Sequence, residues 1–238
     1  MNRKLLPSTL LGVAAWSLSG VVVANWDTGA CPQPHTGPAP CFETEINGNT
    51  YHFNGSGGHA GYWHGVPLAE GGGDFQFSSD AVDFSCPSTS ISCAFSSSGE
   101  VKKCQDSSGA WRIGVRVNMV ELSAGDFVCN FLTVGGFPWY SKDPTIASHC
   151  PFEDDCDSFI SYDPSASTYT ANFGSADVSS PAGTLLSGEH LHGVVFTPGA
   201  GATLDMSNKT FFDCDETEGG CSVDGVLTLG NATSFYIY

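Results

Sequence analysis

The segment WRIGVRVNMVEL, residues 111–122, alternates with period two: Trp111, Ile113, Val115, Val117 and Met119 fall on one side, Arg112, Arg116 and Asn118 on the other. Side chains that change face at every residue belong to a strand with one buried face. Short runs of the same kind recur along the chain, among them ETEINGNTYHF, DFQFSSDAVDFSC, SISCAFSS, DFVCNFLTV, STYTANF, LHGVVFTP and GVLTLGNATSFYIY. Clusters of Gly, Pro, Ser and Asp separate them, and 29 glycines supply the turn positions. Helical patterning is nearly absent. The expected fold is all-β, an antiparallel β-sandwich or barrel.

Cysteines tighten that expectation. The first residues, MNRKLLPSTLLGVAAWSLSGVVVA, put Arg3 and Lys4 ahead of a short apolar run and a small-residue cleavage site. This is the pattern of a secretory signal peptide over residues 1–24, so the protein is expected to be exported, secreted and without a transmembrane segment after cleavage. All ten cysteines follow the leader, an even number for an oxidising compartment, which reads as a disulfide-stapled chain with five bridges. Connectivity does not follow from sequence, but close spacing suggests local staples: Cys31 with Cys41, Cys86 with Cys93, Cys150 with Cys156, and Cys214 with Cys221. Cys104 and Cys129 are left to join two strands. Residues 25–75, rich in Gly, Pro and His, read as a loop-rich N-terminal extension with one disulfide loop and one hairpin around Ile46–Phe53. Residues 76–238 read as the β-sandwich domain.

The leader holds two of the eight basic residues and none of the 25 acidic ones. A surface so acidic excludes nucleic acid as a partner, since phosphate recognition needs clustered Lys and Arg. It favours solubility and an environment that screens charge.

Against this background the run Phe137, Pro138, Trp139 and Tyr140 stands out, as do Tyr62 and Trp63 in the glycine-rich HAGYWH loop. These six are the candidate contact surface, because contiguous exposed aromatic residues mark sites where another surface docks. Within the run Trp139 is expected to plug the core, with Phe137 and Tyr140 facing outward. A second group is the histidines. His190 and His192 share one face of a strand, and His59 and His64 flank the HAGYWH loop; together they are candidate ligands for zinc or copper. The acidic cysteine loops PFEDDCDSF and FFDCDETEGGC are where Ca²⁺ could bind. They do not form an EF-hand, since Glu218 stands where the loop needs glycine. No motif requires a cofactor. No nucleophile elbow, HExxH helix or lone reactive cysteine is present, and the chain is expected not to be an enzyme.

From Phe84 onward the chain runs through Cys104, GAWRIGVRVNMVELSAGDFVC and FLTVGGFPW, and ends on FDCDETEGGCSVDGVLTLGNATSFYIY. This succession of a cysteine, an apolar strand, a Pro-Trp and a closing Cys-x-x-x-Gly-x-Leu segment resembles the secreted alkane-oxidation activator (PraB-like) family of Pseudomonas-like bacteria. The likeness covers roughly the last 150 residues, and this chain is more acidic and richer in cysteine than that pattern. The resemblance implies a non-enzymatic surface or extracellular-matrix protein, associated with biofilm and with growth on hydrophobic substrates, whose partners are hydrophobic surfaces or copies of itself. The final strand, alternating to the terminus, either closes its own sheet or offers an edge to a neighbour. The second outcome would make a fibre or pilus subunit, and the histidines would make a metal-binding module.

Overall fold

The structure is a computed structural model that describes residues 26–33, 38–54, 59–87, 89–146 and 150–238. The expected signal peptide, residues 1–24, lies outside the described residues. Strands dominate; the described residues include two short 3-10 helices, Leu68–Glu70 and Phe127–Phe131, and no α-helix. No helix among them is long and apolar enough to cross a membrane.

The larger sheet is antiparallel throughout, and its pairings form a ring. Phe75–Cys86 pairs with Thr89–Gln105, which pairs with Trp111–Gly125. Trp139–Lys142 and Tyr169–Ser180 follow, and then Gly183–Thr197. From Gly183–Thr197 the sheet divides. One end continues through Thr203–Asp205 and Val226–Leu229, the other through Lys209–Phe212 and Glu218–Asp224. Both branches return to Phe75–Cys86. A sheet closed in this way leaves few free edges along its long strands, and it encloses an apolar interior in a sandwich-like arrangement.

A second sheet joins the two ends of the chain. Its order is Asp27–Thr28, Asn49–Phe53, Phe42–Ile46, Ser234–Ile237, Gly199–Ala200. The hairpin expected near Ile46–Phe53 is present, with Ile46 opposite Asn49. Its loop residues Asn47 and Gly48 both have positive φ, 53° and 79°, the geometry that Asn-Gly adopts at low cost in a two-residue turn. The described residues of segment 25–75 share a sheet and a core with the rest of the chain. Trp26, Phe42 and Phe53 belong to the same buried cluster as Phe75, Phe173 and Leu227. The last strand lies inside this sheet, paired on both sides with its own chain.

Two local details depart from simple alternation. Ile113 is buried and Val115 and Val117 line the interior, as their spacing predicts. A register shift opposite Ser98 and Gly99 then moves the phase, so Met119 faces solvent at 46 % exposure and Val120 turns inward. A β-carbon on Gly99 would lie 2.2 Å from the Arg116 carbonyl oxygen, so the bulge needs glycine there. Likewise DFVCNFLTV is not one strand: Phe127–Phe131 winds into a 3-10 helix before the short strand Thr133–Gly135.

All ten cysteines are paired, in five bridges. Cys31–Cys41 is the local staple expected. The other four differ: Cys86–Cys221, Cys93–Cys129, Cys104–Cys156 and Cys150–Cys214. Sheet closure brings Ser85 opposite Ser222, which places Cys86 beside a cysteine 135 residues away rather than its neighbour Cys93. Five bridges suit an oxidising, extracellular compartment.

Candidate functional site

The six aromatic-run residues do not form one patch. Trp139 packs against the core, and its indole N–H donates to the Gly135 carbonyl at 2.9 Å. Phe137 stacks on Trp139 with ring centres 4.8 Å apart across Pro138. Phe137 is therefore half-buried beside Trp139 rather than opposed to it. Tyr140 goes the other way and meets Trp63 at 5.9 Å.

Trp63 is held by charge. The Arg116 guanidinium and the Lys102 ammonium lie over its ring at 4.8 and 5.2 Å, and its N–H donates to Asp154 at 3.0 Å. Lys102 in turn donates to Asp154 at 2.5 Å, and Arg116 pairs with Glu100. Cation–aromatic contacts of this kind anchor a loop to a wall. Of the six, Tyr62 at 44 % and Pro138 are exposed.

The exposed apolar residues gather elsewhere. On the 3-10 helix, Phe127 is 78 % exposed, and Val128 and Phe131 are 41 % and 47 % exposed. The two phenyl rings touch, with centres 4.9 Å apart. Beneath them Cys129 is fully buried and bonded to Cys93, and the Asp126 carboxylate accepts the Ser92 N–H at 2.8 Å. The result is an aromatic knob on a braced base. The apolar letters of this segment predict a strand, and no local signal in it marks the 3-10 turn; the Asp126 side chain precedes the turn without capping it.

The histidines separate into two places. His64 is buried and stacked on Phe53 at 3.9 Å, and burial pushes its pKa down to about 4. His59 lies 3.5 Å from Asp27. Neither belongs with His190 and His192, whose rings are 4.6 Å apart. Those two are joined by Glu216, which the sequence reading did not name. The ligand atoms of His190, His192 and Glu216 lie within 4.8 Å of one another, the one such group among the described residues.

Acidic loops serve their own turns. The Asp213 carboxylate accepts N–H bonds from Asp215 and Thr217, both at 2.9 Å. Asp155 accepts from the Ser158 hydroxyl, and Asp157 from the Ser107 N–H. Carboxylates used in this way cap backbone donors that would otherwise stay unsatisfied.

Basic residues are drawn inward. Lys102, Lys103 and Lys142 are buried, and Arg112 and Arg116 are half-buried in ion pairs with Asp106, Asp143 and Glu100. The outer surface is thus more uniformly negative than the composition alone conveys. Comparisons with known protein families, curated proteins and solved structures return no match for this chain.

Proposed function

We propose that this protein is a secreted, non-enzymatic surface or matrix protein that acts by contact, with the Phe127–Phe131 knob as its contact element. The observation that carries this reading is the 78 % exposure of Phe127 beside two other exposed apolar side chains. Fully burying a phenylalanine side chain is worth about 1.5–3 kcal/mol, and that gain is left unrealised here while a disulfide holds the base rigid. A rigid apolar display loses little conformational entropy when it meets another surface. The acidic exterior keeps such particles apart in solution and leaves the knob as the adhesive element. The resemblance to alkane-oxidation activators points to hydrophobic substrates as the surface met.

Adsorption of the purified protein to hexadecane droplets tests the proposal. A Phe127→Ser/Phe131→Ser double variant is expected to lose most of its adsorption, about tenfold or more, with an unchanged thermal midpoint because neither ring is in the core. Undiminished adsorption by that variant would sink the reading. The C-terminal strand is not the contact element in this proposal, since both its neighbours in the sheet are its own chain.

A further inference from the structure

We propose that His190, His192 and Glu216 form a binding site for a single zinc ion, with the fourth coordination position left to water. The inference stands independently of the contact reading. His190 and His192 are alternate residues of Gly183–Thr197 and so project from one face of that strand. His190 pairs across the sheet with Phe212, and the turn that follows Phe212 carries Glu216 back over both rings. The two carboxylate oxygens divide between the two imidazoles: Oε1 lies 4.0 Å from His190 Nε2 and Oε2 lies 3.9 Å from His192 Nε2.

Each ring is set by an aromatic wall. His192 stacks on Phe212 at 4.0 Å, and His190 lies 5.1 Å from Phe152. His190 is fully buried, and the Glu216 side chain is 41 % exposed, so the cluster has a closed floor and an open side. Zinc bonds to imidazole nitrogen and carboxylate oxygen at about 2.0–2.2 Å, which sets neighbouring ligand atoms roughly 3.4 Å apart in a tetrahedron. The two carboxylate–imidazole separations, 4.0 and 3.9 Å, exceed that spacing by about 0.5–0.6 Å, and all the ligand atoms lie within 4.8 Å of one another. Rotation of the exposed carboxylate and of the half-buried His192 ring draws them onto one ion. Two imidazoles and one carboxylate are a donor set that zinc takes with water in the fourth place.

The turn itself supplies a second observation. Glu216 has φ of +61°, a left-handed conformation that Gly or Asn adopts with less strain. The Cys150–Cys214 bridge and the Asp213 carboxylate hold the turn in this shape. A carboxylate is thus kept over the histidines at a position where local preference opposes it, the kind of strain that collects at ligand sites.

The test is zinc titration of the full secreted protein after chelator treatment and dialysis, followed by calorimetry in a large excess of Ca²⁺ to occupy the acidic surface. Cobalt substitution, read by visible absorption, reports tetrahedral coordination. One ion per chain is expected, weakened by at least about 10–100-fold in His192→Ala, since losing a ligand costs no less than losing a group that orients one. Glu216→Gly separates ligation from folding: glycine relaxes the left-handed turn, so the metal-free variant should melt at or above the native protein while zinc binding falls at least tenfold. No stoichiometric binding in excess Ca²⁺ overturns the proposal. So does binding that His192→Ala and Glu216→Gly leave unchanged, which would place the ion elsewhere on the acidic surface.

Discussion

Lys103 shows how a single residue can set the pH response of this fold. Its ammonium is buried, donates to the Pro40 and Phe53 carbonyls at 3.1 and 3.2 Å, and lies 4.9 Å from the Phe53 ring. No carboxylate accompanies it in those contacts, and burial pushes its pKa down to about 7. In the unfolded chain the same group holds its proton to pH near 10.5. Between pH 7 and 10.5 the unfolded state therefore binds more protons than the folded one, and stability rises with pH across that window. Below pH 7 both states are protonated and the full penalty of a buried charge persists. Lys103→Met removes that penalty. Its stability relative to the native protein should be most favourable at pH 6–7 and decline by up to about 1.4 kcal/mol per pH unit toward pH 10. Urea unfolding at pH 6.5, 8 and 9.5 checks this; a variant-to-native difference that stays flat would show that Lys103 keeps its charge on folding. His64 acts in the acid range, where stability is lost as pH falls from its ordinary 6.5 toward the folded value of about 4.

Among the elements, the disulfides divide by how much chain they close. Cys31–Cys41 spans 10 residues and Cys86–Cys221 spans 135. Loop-closure entropy grows with the logarithm of that span, so the longer bridge constrains the unfolded chain by about 2 kcal/mol more. The Cys86→Ala/Cys221→Ala variant should accordingly melt lower than Cys31→Ala/Cys41→Ala by several degrees, a ranking that calorimetry under identical buffer can check. Equal losses would mean that strand pairing at the seam, Ser85 with Ser222 and Phe84 with Val223, already supplies the constraint. The same bridge marks where sequence reading fell short. Alternation in WRIGVRVNMVEL gives the strand, and Asn47-Gly48 gives its hairpin, because both signals are local. Cysteine spacing measures proximity along the chain, whereas Cys86 meets Cys221 only once the sheet has closed. Met119 and Phe127 were misplaced for a related reason: one bulge reverses a strand's inside and outside, and one short helix resembles a strand in a run of apolar letters. His190 and His192 were legible as a pair by their spacing of two. Glu216 was not, since a turn of the neighbouring hairpin delivers it from 24 positions away.

For the whole molecule, the placement of charge governs behaviour in solution. Beyond residue 24, 25 acidic residues face six basic ones, and all six are buried or half-buried. Exposed carboxylates therefore repel one another with little cationic relief at the surface. Ions screen that repulsion, since the Debye length falls from about 30 Å at 0.01 M salt to about 10 Å at 0.1 M. The internal pair of Arg112 with Asp106 sits too deep and too close to be weakened much over that range. The thermal midpoint is thus expected to rise by a few degrees between 0.01 and 0.2 M NaCl, and further when Mg²⁺ replaces Na⁺ at equal ionic strength. A midpoint that falls with salt would mean that surface ion pairs outweigh the repulsion. Droplet adsorption should respond in the same direction, because screening lets neighbouring particles crowd on an oil surface while the Phe127 contact, being apolar, is not weakened by ions. A salt series of adsorption on native protein and on the Phe127→Ser/Phe131→Ser variant separates the two contributions. Salt should raise coverage of the native protein and leave the variant near its low baseline; a variant that adsorbs as well as the native protein once screened would show that charge alone governs contact.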